Sequence, residues 1–541
     1  MSNMLMTANF IQTLLDQGVA EFCLCAGARN ATIIKTFSEN PQIPVFHFFE
    51  ERSAAFFALG RMQKIKKPVA VVTTSGTAVA ELLPAVIEAF YSGLPLVLIT
   101  ADRPKNYRGS GAPQAIEQVG IFSHYVDNHF DFDINEFPEF KDYILPEQKP
   151  VHFNVCFEEP LIDGHAGKLK LTGLELIKVR ATKVEEEVDL NYSLKKFCEL
   201  FIGKKPFVIV SGLQLEIEDE KALICFLNKH QFPLYLEGTS GLKHHPELQR
   251  QSLLAVDKVL KVLIQKGEVD CIFRIGGIPT LRFWRDLEFD YKYLPVYSLS
   301  EKKFTGLSRE SNLFCGIKEF IHFVKEDSSA FTVNKSSTNF IESIKKDSHL
   351  SLKLLELFKK YPKAEPAMIH SLSVLLQANA NNLYLGNSLP IREWDLAADR
   401  GTFLRRVFAN RGANGIDGQI STFLGIAHQQ ENSWALLGDL TTMYDLAALW
   451  ISEQIKLSAT NIVVINNQGG MIFERIFKNE YFLNRHQIQF KSWATMWNWS
   501  YQKWTEIPAK INQEVASDKN IIELVPCAEQ TAHFWKDWDS Y

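Results

Sequence analysis

The sequence lacks the features that would place it in a membrane or among nucleic-acid-binding proteins. No run of apolar residues approaches the roughly 18 that a membrane-spanning helix requires. Residues 1–18 mix polar with apolar side chains, which predicts an amphipathic helix rather than a signal peptide. The formal net charge of −5 offers no basic excess to nucleic acid. We therefore expect no membrane span and no nucleic-acid partner.

Cysteine is also scarce, with eight residues in a chain of 541. The cysteines are scattered singly, except that Cys23 and Cys25 lie two apart in a strand-like run. This spacing fits neither a zinc site nor a disulfide framework. A reducing compartment suits such a chain best, so we predict a cytoplasmic protein.

Three successive blocks of the sequence alternate short apolar runs with helix-like patterns. This alternation predicts an α/β protein with three doubly wound parallel-sheet domains. We place the domains at residues 1–180, 190–340 and 360–541, and the outer two share one pattern. Charged residues 178–187 and polar residues 326–364 are the predicted linkers between them.

The pattern also predicts individual strands and helices. The predicted strands are Phe22–Ala26, Val45–Phe49, Val69–Thr73 and Leu96–Thr100 in the first block, Phe207–Val210, Leu234–Leu236, Cys271–Ile275 and Val296–Leu299 in the second, and Leu383–Leu385, Val407–Ala409, Ala435–Leu437 and Ile462–Ile465 in the third. Helices are expected at Thr77–Tyr91 with Gly93 as its end, around Leu350–Phe358, and at about Thr442–Gln454.

Two successive strands of the third block end on polar residues. One predicted strand ends at Gly438 and Asp439, and the next, one crossover later, leads into Asn467 and Gly469. The carboxyl ends of parallel strands meet at one edge of an open sheet, where ligands bind. A carboxylate, an amide oxygen and a loop carbonyl form the all-oxygen set that Mg²⁺ prefers. The alternative is that Asp439 caps the next helix and the asparagine forms a turn.

This pattern resembles the signature of the thiamine-diphosphate enzyme superfamily, which is Gly-Asp-Gly followed after a crossover by Asn-Asn. Leu440 stands at the third position, as in the branch of 2-succinyl-5-enolpyruvyl-6-hydroxy-3-cyclohexene-1-carboxylate synthases of menaquinone biosynthesis. The resemblance implies thiamine diphosphate as cofactor, with Mg²⁺ or Mn²⁺. It also implies that Asp439, the side chain of Asn467 and the carbonyl of Gly469 hold the metal ion.

Two further stretches of the third block support the resemblance. Leu385–Ser388 ends a predicted strand and leads into a helix, whose free N–H groups would seat a diphosphate, although alone it is an ordinary turn. Residues 410–418 resemble the family's Asn-Arg-Gly-Ala-x-Gly-Ile-Asp-Gly run. The resemblance implies that the bent cofactor rests on Ile416 and that the carbonyl of Gly415 accepts from its 4′-amino group. The cofactor-binding residues predicted in this block are Gly386, Asn387, Ser388, Gly415, Ile416 and Gly438.

The first block supplies a candidate catalytic carboxylate. The thiamine cofactor deprotonates its own thiazolium carbon when a carboxyl group in a fairly dry pocket favours the imino tautomer of its pyrimidine. Glu51 follows a predicted strand and begins a helix, and its neighbours match the family's His-x-x-(Asp/Glu)-Glu-Arg. The resemblance therefore implies Glu51 rather than Glu50. The alternative is that both residues only favour the helix N-terminus electrostatically.

The run from Thr74 to Ala89 resembles the branch more closely than any other stretch of this chain, and residues 98–104 continue the match. The resemblance implies that three residues of the first run contact the cofactor, namely Ser75, Gly76 and Thr77. Gln114 lies in Gly-Ala-Pro-Gln-Ala-Ile and matches the family's active-site glutamine, which implies a role in substrate binding. The alternative for Gln114 is a surface loop residue.

Four arginines are candidates for substrate binding. The substrates implied by the resemblance, 2-oxoglutarate and isochorismate, are both dianions, and the arginine fork grips carboxylates bidentately. Arg29, Arg392 and Arg411 lie in or beside matching motifs, and Arg282 is retained in the middle block. The alternative for each is an ordinary surface arginine.

Three positions depart from the branch. Ala28 replaces a serine, Leu281 stands where a lysine is expected, and residues 484–486 differ from a Thr-Pro-His pattern. None of them affects the predicted cofactor site. They leave the identity of the acceptor substrate open.

The resemblance implies decarboxylation of 2-oxoglutarate and 1,4-addition of the resulting carbanion to isochorismate, in a homodimer or dimer of dimers with sites shared between chains. Another thiamine-diphosphate decarboxylase or carboligase acting on a smaller oxo acid is one alternative, and a catalytically silent regulatory homologue is another. A nucleotide-dependent dehydrogenase is a third. Gly276 and Gly277 follow a predicted strand, but no Gly-x-Gly-x-x-Gly accompanies them.

Overall fold

The computed structural model describes residues 2–136, 143–171, 190–302, 307, 311–326, 331–334, 338–511 and 517–541. The chain forms two compact units. The first comprises Met1–Val184, Gly412–Gln430 and Thr441–Leu457, and the second comprises Glu185–Arg411, Glu431–Leu440 and Ser458–Tyr541. The first unit contains one parallel sheet and the second contains two, which confirms the predicted α/β class with three parallel sheets flanked by helices.

The first unit is built on a six-stranded sheet in the order β2-β1-β3-β4-β6-β5, with every neighbouring pair parallel. The strands are β1 (Glu21–Cys25), β2 (Val45–Phe48), β3 (Val69–Thr73), β4 (Leu96–Asp102), β5 (His129–Phe132) and β6 (Val151–Cys156). The helices of this part of the chain are α1 (Asn3–Asp16), α2 (Ala31–Glu39), α3 (Glu51–Ile65), α4 (Thr77–Ala80) and α5 (Leu83–Ser92). Strands β3, β4 and β6 are buried along their whole length, because helices cover both faces of such a sheet.

The second unit contains a five-stranded parallel sheet in the order β11-β10-β9-β7-β8. The strands are β7 (Pro206–Ser211), β8 (Leu234–Leu236), β9 (Cys271–Gly276), β10 (Val296–Ser300) and β11 (Ser311–Phe314). The helices are α6 (Leu190–Glu199), α7 (Ile217–His230), α8 (Val256–Gln265), α9 (Arg282–Asp286) and α10 (Ile317–Glu326). A cluster of phenylalanine rings packs beneath this sheet and includes Phe197, Phe201, Phe226, Phe273, Phe320 and Phe331.

The third sheet also belongs to the second unit and has the order β13-β12-β14-β15-β17-β16. The strands are β12 (Asn382–Leu385), β13 (Val407–Phe408), β14 (Ser433–Gly438), β15 (Thr460–Ile465), β16 (Ser500–Trp504) and β17 (Lys519–Leu524). The helices of this part of the chain are α11 (Thr338–Lys360), α12 (Glu365–Gln377), α13 (Leu389–Ala397), α14 (Gln419–Ala427), α15 (Asp439–Tyr444), α16 (Glu474–Phe477), α17 (Lys491–Met496) and α18 (Ala528–Asp539). Its order repeats that of the first sheet strand for strand, in line with the shared pattern of the outer blocks.

All twelve predicted strands form, but two helices differ from prediction. The predicted helix Thr77–Tyr91 is divided into α4 and α5, because Pro84 in the first turn of α5 would clash with a carbonyl one turn earlier. Gly93 does end α5, with φ of +62°. The predicted helix Thr442–Gln454 is replaced by α15 and a 3₁₀ helix, Leu446–Glu453.

The predicted second linker is also more regular than its composition indicated. It contains α11, a helix of 23 residues, where only Leu350–Phe358 was expected to be helical. Four apolar residues of α11 lie at helical spacing and form a buried stripe, namely Leu350, Leu354, Leu357 and Phe358, whereas Leu352 and Leu355 are exposed. The predicted first linker, residues 178–187, lies outside the described residues.

Five strands were not predicted, namely β5, β6, β11, β16 and β17. Strand β6 illustrates the reason, since His152 and Asn154 interrupt its apolar pattern although both are buried. The hydroxyl of Thr100 on β4 lies 2.7 Å from His152 Nε2 and donates to Asn154 at 2.9 Å. Polar pairing across two strands therefore replaces apolar packing there. Among the described helices, none is long and apolar enough to cross a membrane.

Candidate active site

The predicted site residues occur in both units. The first unit contains Arg29, Glu51, Ser75, Gly76, Thr77, Gln114, Gly415 and Ile416. The second contains Arg282, Gly386, Asn387, Ser388, Arg392, Arg411, Gly438, Asp439, Asn467 and Gly469. Each unit thus carries a distinct part of the predicted chemistry, with the proton-transfer carboxylate in the first and the metal and diphosphate residues in the second.

Glu51 is the first residue of α3, but it does not cap that helix. Glu50 does so, because its carboxylate accepts from the backbone N–H groups of Arg52 and Ser53 at 3.1 and 2.9 Å. Burial raises the pKa of Glu51, opposed by its own backbone N–H and assisted by the negative charges of Glu50 and Glu81. A half-buried carboxyl group with a raised pKa is suited to exchange a proton.

The turn Ser75–Thr77 connects β3 to α4 and is held by a glutamine that the sequence did not single out. The N–H of Gly76 donates to the side chain of Gln118 at 3.1 Å, and Gln118 donates to the carbonyl of Ala101. Gly76 has φ of +85°, and a Cβ there would lie 3.1 Å from Cα of Gln114. The structure therefore brings the backbone of Gln114 against this turn, while the residue itself is exposed.

Arg29 lies in the turn after β1, and only 12% of its side chain is exposed. Its guanidinium donates to the carbonyl of Phe157 at 3.4 Å and lies 3.2 Å from the carboxylate of Glu159. The Glu159 side chain is 65% exposed, and ion pairs of this kind contribute only about 0–1 kcal/mol. A substrate carboxylate could therefore replace Glu159 at little cost.

The glycine-rich turn after Arg411 is anchored within the first unit by Glu88. This glutamate of α5 is 3% exposed. Its two carboxylate oxygens accept from the backbone N–H groups of Gly412 and Ala413 at 2.7 and 2.6 Å, and the hydroxyl of Ser92 donates to it at 2.8 Å. A buried carboxylate thus satisfies two donors that the turn would otherwise leave unpaired.

The remainder of this turn leads into α14. The carbonyl of Gly415 accepts from the side chain of Gln419 at 2.6 Å. Ile416 is half-buried. Gly418 has φ of +62°, and a Cβ there would lie 2.0 Å from the ring of Phe56. Only glycine therefore allows the turn to approach α3 so closely.

The predicted metal ligands meet at the carboxyl end of the third sheet. Asp439 follows β14, Asn467 follows the neighbouring strand β15, and Asp439 is 2% exposed. The carboxylate of Asp439 accepts from the N–H groups of Gly469 at 3.0 Å and Leu440 at 2.7 Å. His486 Nε2 lies 3.1 Å from the same carboxylate.

The donor set fits a hard cation. Oδ1 of Asn467 is buried and meets no hydrogen-bond donor in the part of the chain that the structure describes. An unpaired buried oxygen costs about 1–3 kcal/mol, which a bound cation would remove. The carbonyl of Gly469 accepts from the N–H of Met471 at 2.9 Å and keeps one lone pair. Together with Asp439, these oxygens match the ligand preference of Mg²⁺.

Two buried carboxyl groups lie behind this edge. Asn467 Nδ2 donates to both oxygens of Glu365, the first residue of α12, at 3.1 and 3.0 Å. Glu393 of α13 adjoins Glu365, and the two residues are 2% and 1% exposed. Burial raises the pKa of Glu365 to about 7 and raises that of Glu393 well above its ordinary value. The two carboxyl groups hydrogen-bond each other, which requires a proton on one of them, and a proton on Glu393 leaves Glu365 able to accept from Asn467 on both oxygens.

The predicted diphosphate seat lies between β12 and α13. Gly386 donates its N–H to the carbonyl of Leu436 at 2.8 Å, and a Cβ on Gly386 would lie 2.9 Å from that oxygen. Asn387 is buried and donates to the carbonyl of Asn410 at 2.7 Å. Ser388 has φ of +73°, a conformation that costs a non-glycine residue about 1–3 kcal/mol and occurs where a ligand or neighbour requires it.

The arginines of the second unit differ in their surroundings. Arg411 donates to Asn387 at 2.9 Å, and its Nε is buried without an acceptor among the described residues. Arg392 donates to the carbonyl of Ser388, and partial burial of its guanidinium together with the charge of Arg411 lowers its pKa. Arg282 begins α9 and is exposed. Arg411 and Arg392 are therefore close enough to repel each other, while the carboxylates of Asp395 and Glu237 act on Arg392 in the opposite sense.

The two departures in predicted substrate segments have different structural settings. Leu281, where a lysine was expected, is half-buried and packs against the apolar core shared by the second unit's sheets. Ala28 is exposed in the turn after β1. Leu281 therefore contributes packing and no charge.

Three supporting residues were missed by sequence reasoning, namely Glu88, Gln118 and Glu365. For Glu88 a signal was available, since it is a charged residue between the buried residues Val86 and Ala89 of an apolar helix. Such a residue requires a buried partner. The partners lie far along the chain, however, and no local pattern identifies them.

The chain is similar in sequence to known thiamine-dependent proteins. The family described as "Thiamine pyrophosphate enzyme, N-terminal TPP binding domain" matches residues 4–121. A 2-succinyl-5-enolpyruvyl-6-hydroxy-3-cyclohexene-1-carboxylate synthase of Bdellovibrio bacteriovorus is 47% identical, and the match covers 100% of this chain and 99% of that protein. A synthase of the same name from Akkermansia muciniphila is 35% identical over 97% of each chain. One from Listeria innocua is 29% identical over 86% of this chain and 83% of its own.

Proposed function

Because the chain belongs to the family of 2-succinyl-5-enolpyruvyl-6-hydroxy-3-cyclohexene-1-carboxylate synthases, we propose that it decarboxylates 2-oxoglutarate and adds the remaining four-carbon unit to isochorismate in menaquinone biosynthesis. It is a thiamine-diphosphate-dependent transferase. The observation that carries the proposal is the oxygen-lined edge at Asp439 and Asn467, with an unpaired amide oxygen. When bound, thiamine diphosphate supplies the nucleophilic carbon that receives the oxo acid.

The metal and the diphosphate belong to the second unit in this proposal. Asp439, Asn467 and the carbonyl of Gly469 hold Mg²⁺, with Mn²⁺ as a substitute. The turn residues Gly386, Asn387, Ser388 and Gly438 receive the diphosphate. Support comes from the close backbone approach at Gly386 and from the positive φ of Ser388, both directly after β12, whose neighbour β14 ends at Gly438.

Glu51 performs the proton chemistry in this proposal. Its carboxyl group would hold the pyrimidine of the bound cofactor by a hydrogen bond and exchange a proton with it. Two observations support this role. The pKa of Glu51 is raised, and Glu50 rather than Glu51 caps α3. The first unit also supplies contacts to the pyrimidine from Ser75, Gly76, Thr77, Ile416 and the carbonyl of Gly415.

The substrate carboxylates are bound by arginine in this proposal. Two dianionic substrates bring four carboxylates, which an acidic protein must meet with local cations. Arg392 and Arg411 lie close enough to act on each other electrostatically, Asp395 and Glu237 are nearby carboxylates that act on Arg392, and the carboxylate paired with Arg29 is largely exposed. Arg282 and Gln114 complete the predicted substrate-binding set. We also propose a cytoplasmic homodimer or dimer of dimers, with each site shared between two chains.

The direct test is product formation. The purified protein is incubated with 2-oxoglutarate, isochorismate, thiamine diphosphate and Mg²⁺, and the product mass is recorded. We expect isochorismate to gain the mass of 2-oxoglutarate minus carbon dioxide. Omission of either substrate and the Glu51→Gln variant serve as controls. Release of carbon dioxide without a coupled product would contradict the proposed addition step.

A related reaction with another acceptor is the second candidate. Leu281 packs against the core where the branch is expected to present a lysine, and Ala28 removes one hydroxyl. Both changes fall in segments assigned to substrate rather than cofactor. Competition between isochorismate and other cyclic enones, and between 2-oxoglutarate and pyruvate, in the same assay separates the two candidates.

A further inference from the structure

A buried hydrogen-bond chain runs behind the metal edge and includes residues that the proposed function does not use. It begins at Asn467, passes to Glu365 at the start of α12 and ends at Glu393 on α13. Both glutamates are almost completely buried, at 2% and 1% exposure. Buried carboxyl groups are costly for a fold unless each has a hydrogen-bonding task, so this pair requires an explanation.

The contact between Asn467 and Glu365 fixes the orientation of an amide. Asn467 Nδ2 lies 3.1 and 3.0 Å from the two oxygens of Glu365. A carboxylate accepts hydrogen bonds, so it holds the nitrogen of the amide and turns the oxygen away. That oxygen, Oδ1, is the buried atom that meets no donor among the described residues. A group at position 365 that donated hydrogen bonds would attract the amide oxygen of Asn467, whereas a carboxylate attracts the amide nitrogen.

Glu393 explains how the carboxylate itself is held. Neither oxygen of Glu393 meets an N–H or hydroxyl donor in the described ranges, and its neighbour is the carboxyl group of Glu365. With its proton, Glu393 donates to Glu365 and leaves both Glu365 oxygens able to accept from Asn467. The backbone N–H of Glu365 is in turn fixed by the hydroxyl of Thr531 at 3.0 Å. Each link therefore restricts the next.

We propose that Glu365 is a positioning residue for the metal ion, because it holds Asn467 with Oδ1 directed to the metal site. This assignment rests on the proposed function, since Asn467 is a metal ligand only in that proposal. Residues that orient a ligand from behind usually change metal affinity by about 10- to 100-fold when replaced. Glu365 does not contact the metal, the cofactor or the substrates in this arrangement.

The first test replaces the acceptor by a donor. In Glu365→Gln, one of the two acceptor oxygens becomes an N–H donor, so only one oxygen still holds the nitrogen of Asn467 and the amide can also turn Oδ1 toward the new donor. We expect the affinity for Mn²⁺, measured by the electron paramagnetic resonance signal of free Mn²⁺ with thiamine diphosphate present, to fall about 10- to 100-fold. Turnover at saturating Mn²⁺ should recover much of the parent rate, which a collapsed site would not allow.

The matched control removes the same charge without touching Asn467. Glu474 is a neighbouring carboxylate that acts on Glu365 electrostatically and pairs with Arg485. Glu474→Gln should bind Mn²⁺ within about twofold of the parent. An equal loss in both variants would show that charge alone matters and would overturn the positioning role.

A reciprocal exchange keeps the test decisive if Glu365→Gln folds poorly. Asn467→Asp alone places a second carboxylate against Glu365. In the double variant Glu365→Gln with Asn467→Asp, the glutamine donates to one aspartate oxygen and the other oxygen faces the metal. We expect the double variant to bind Mn²⁺ more tightly than either single variant. Additive losses in the double variant would overturn the proposal.

The outcomes also separate this inference from the proposed function. If the parent shows no saturable Mn²⁺ binding with thiamine diphosphate, the metal site itself is wrong and the role of Glu365 is overturned with it. If the parent binds Mn²⁺ and Glu365→Gln binds it equally well, the metal site stands and only the positioning role is overturned. The thermal unfolding temperature without metal, measured on every variant, identifies any general loss of structure.

Discussion

The carboxylate of Glu88 accepts a hydrogen bond from the backbone N–H of Gly412 at 2.7 Å, across 324 positions of the chain. The neighbouring N–H of Ala413 binds the other oxygen. A Cβ at position 412 would lie 2.6 Å from the carbonyl oxygen of Glu88. The contact therefore needs both a buried carboxylate and a glycine, and it fixes the turn that leads to Gly415 and Ile416.

Glu88→Ala should destabilise the first unit and weaken binding of thiamine diphosphate. It removes the acceptor of two partly buried N–H groups, at a cost of about 0.5–1.5 kcal/mol each. Urea unfolding measures the stability, and cofactor titration by tryptophan fluorescence measures the binding. Glu81→Ala, an exposed glutamate one helix earlier, is the matched control and should change neither. A stable variant with normal affinity would show that the turn holds itself.

The strand ends were predictable, and with them the approximate positions of the site residues. Short runs of β-branched and apolar residues mark the strands clearly in the sequence. The motifs at Glu51 and Asp439 directly follow such strands. Helix divisions were less predictable, because the break between α4 and α5 depends on a single proline within an apolar run. Edge and polar strands such as β16 were missed because their side chains do not alternate clearly.

The supporting contacts could not be predicted from local pattern. Glu88 meets residues more than 300 positions away, and Glu365 meets Asn467 across 102 positions. Such pairs form only once two sheets or a helix and a sheet edge are packed. Sequence resemblance also gives no sign that Glu50, rather than Glu51, caps α3, since either carboxylate suits a helix N-terminus.

Glu51→Gln should lower turnover by two or more orders of magnitude, the usual effect of losing acid–base assistance. Cofactor binding and fold should be retained. Because the pKa of Glu51 is raised on folding, its ionisation opposes the folded state at pH values above its ordinary pKa. The variant should therefore unfold at an equal or higher temperature than the parent at pH 7. Near-normal turnover in steady-state assays would remove Glu51 from the mechanism.

Asp439→Ala should abolish most of the stabilisation that Mg²⁺ and thiamine diphosphate give together. Aspartate is the only anionic protein ligand proposed for the metal, and a ligand present at 100 times its Kd stabilises a protein by about 2.7 kcal/mol. Thermal unfolding with and without both ligands measures the effect. Asp537→Ala, which removes a half-buried carboxylate of α18, should respond to the ligands like the parent. Equal ligand stabilisation of Asp439→Ala would contradict this metal site.

Arg392→Ala should raise the KM for a dicarboxylate substrate about 10- to 100-fold, in proportion to the loss of a charged hydrogen bond. Its affinity for thiamine diphosphate should stay close to that of the parent. Arg411→Ala should impair substrate use similarly, with a modest additional loss of cofactor affinity, because Arg411 also holds Asn387. Arg475→Ala, an exposed arginine paired with Asp539, is the control. Loss of cofactor affinity with unchanged KM would reverse these assignments.

The last prediction concerns the assembly and uses two lesions from different parts of the chain. Glu51 belongs to the first unit and Arg411 to the second. If each site takes Glu51 from one chain and Arg411 from another, a dimer of one Glu51→Gln chain and one Arg411→Ala chain has one doubly damaged site and one intact site. A site built within a single chain leaves every site of that dimer with one lesion.

At substrate concentrations below the KM of the Arg411→Ala variant, co-expression of the two variants should therefore restore activity that each variant largely lacks alone. Random pairing makes half of the dimers mixed, and each mixed dimer has one intact site of two, so about a quarter of the parent activity should return. Differently tagged chains allow the mixed dimers to be purified, and these should reach about half the parent activity per dimer. Sites shared between chains give every mixed dimer one intact site. Purified mixed dimers that remain inactive would therefore exclude this arrangement.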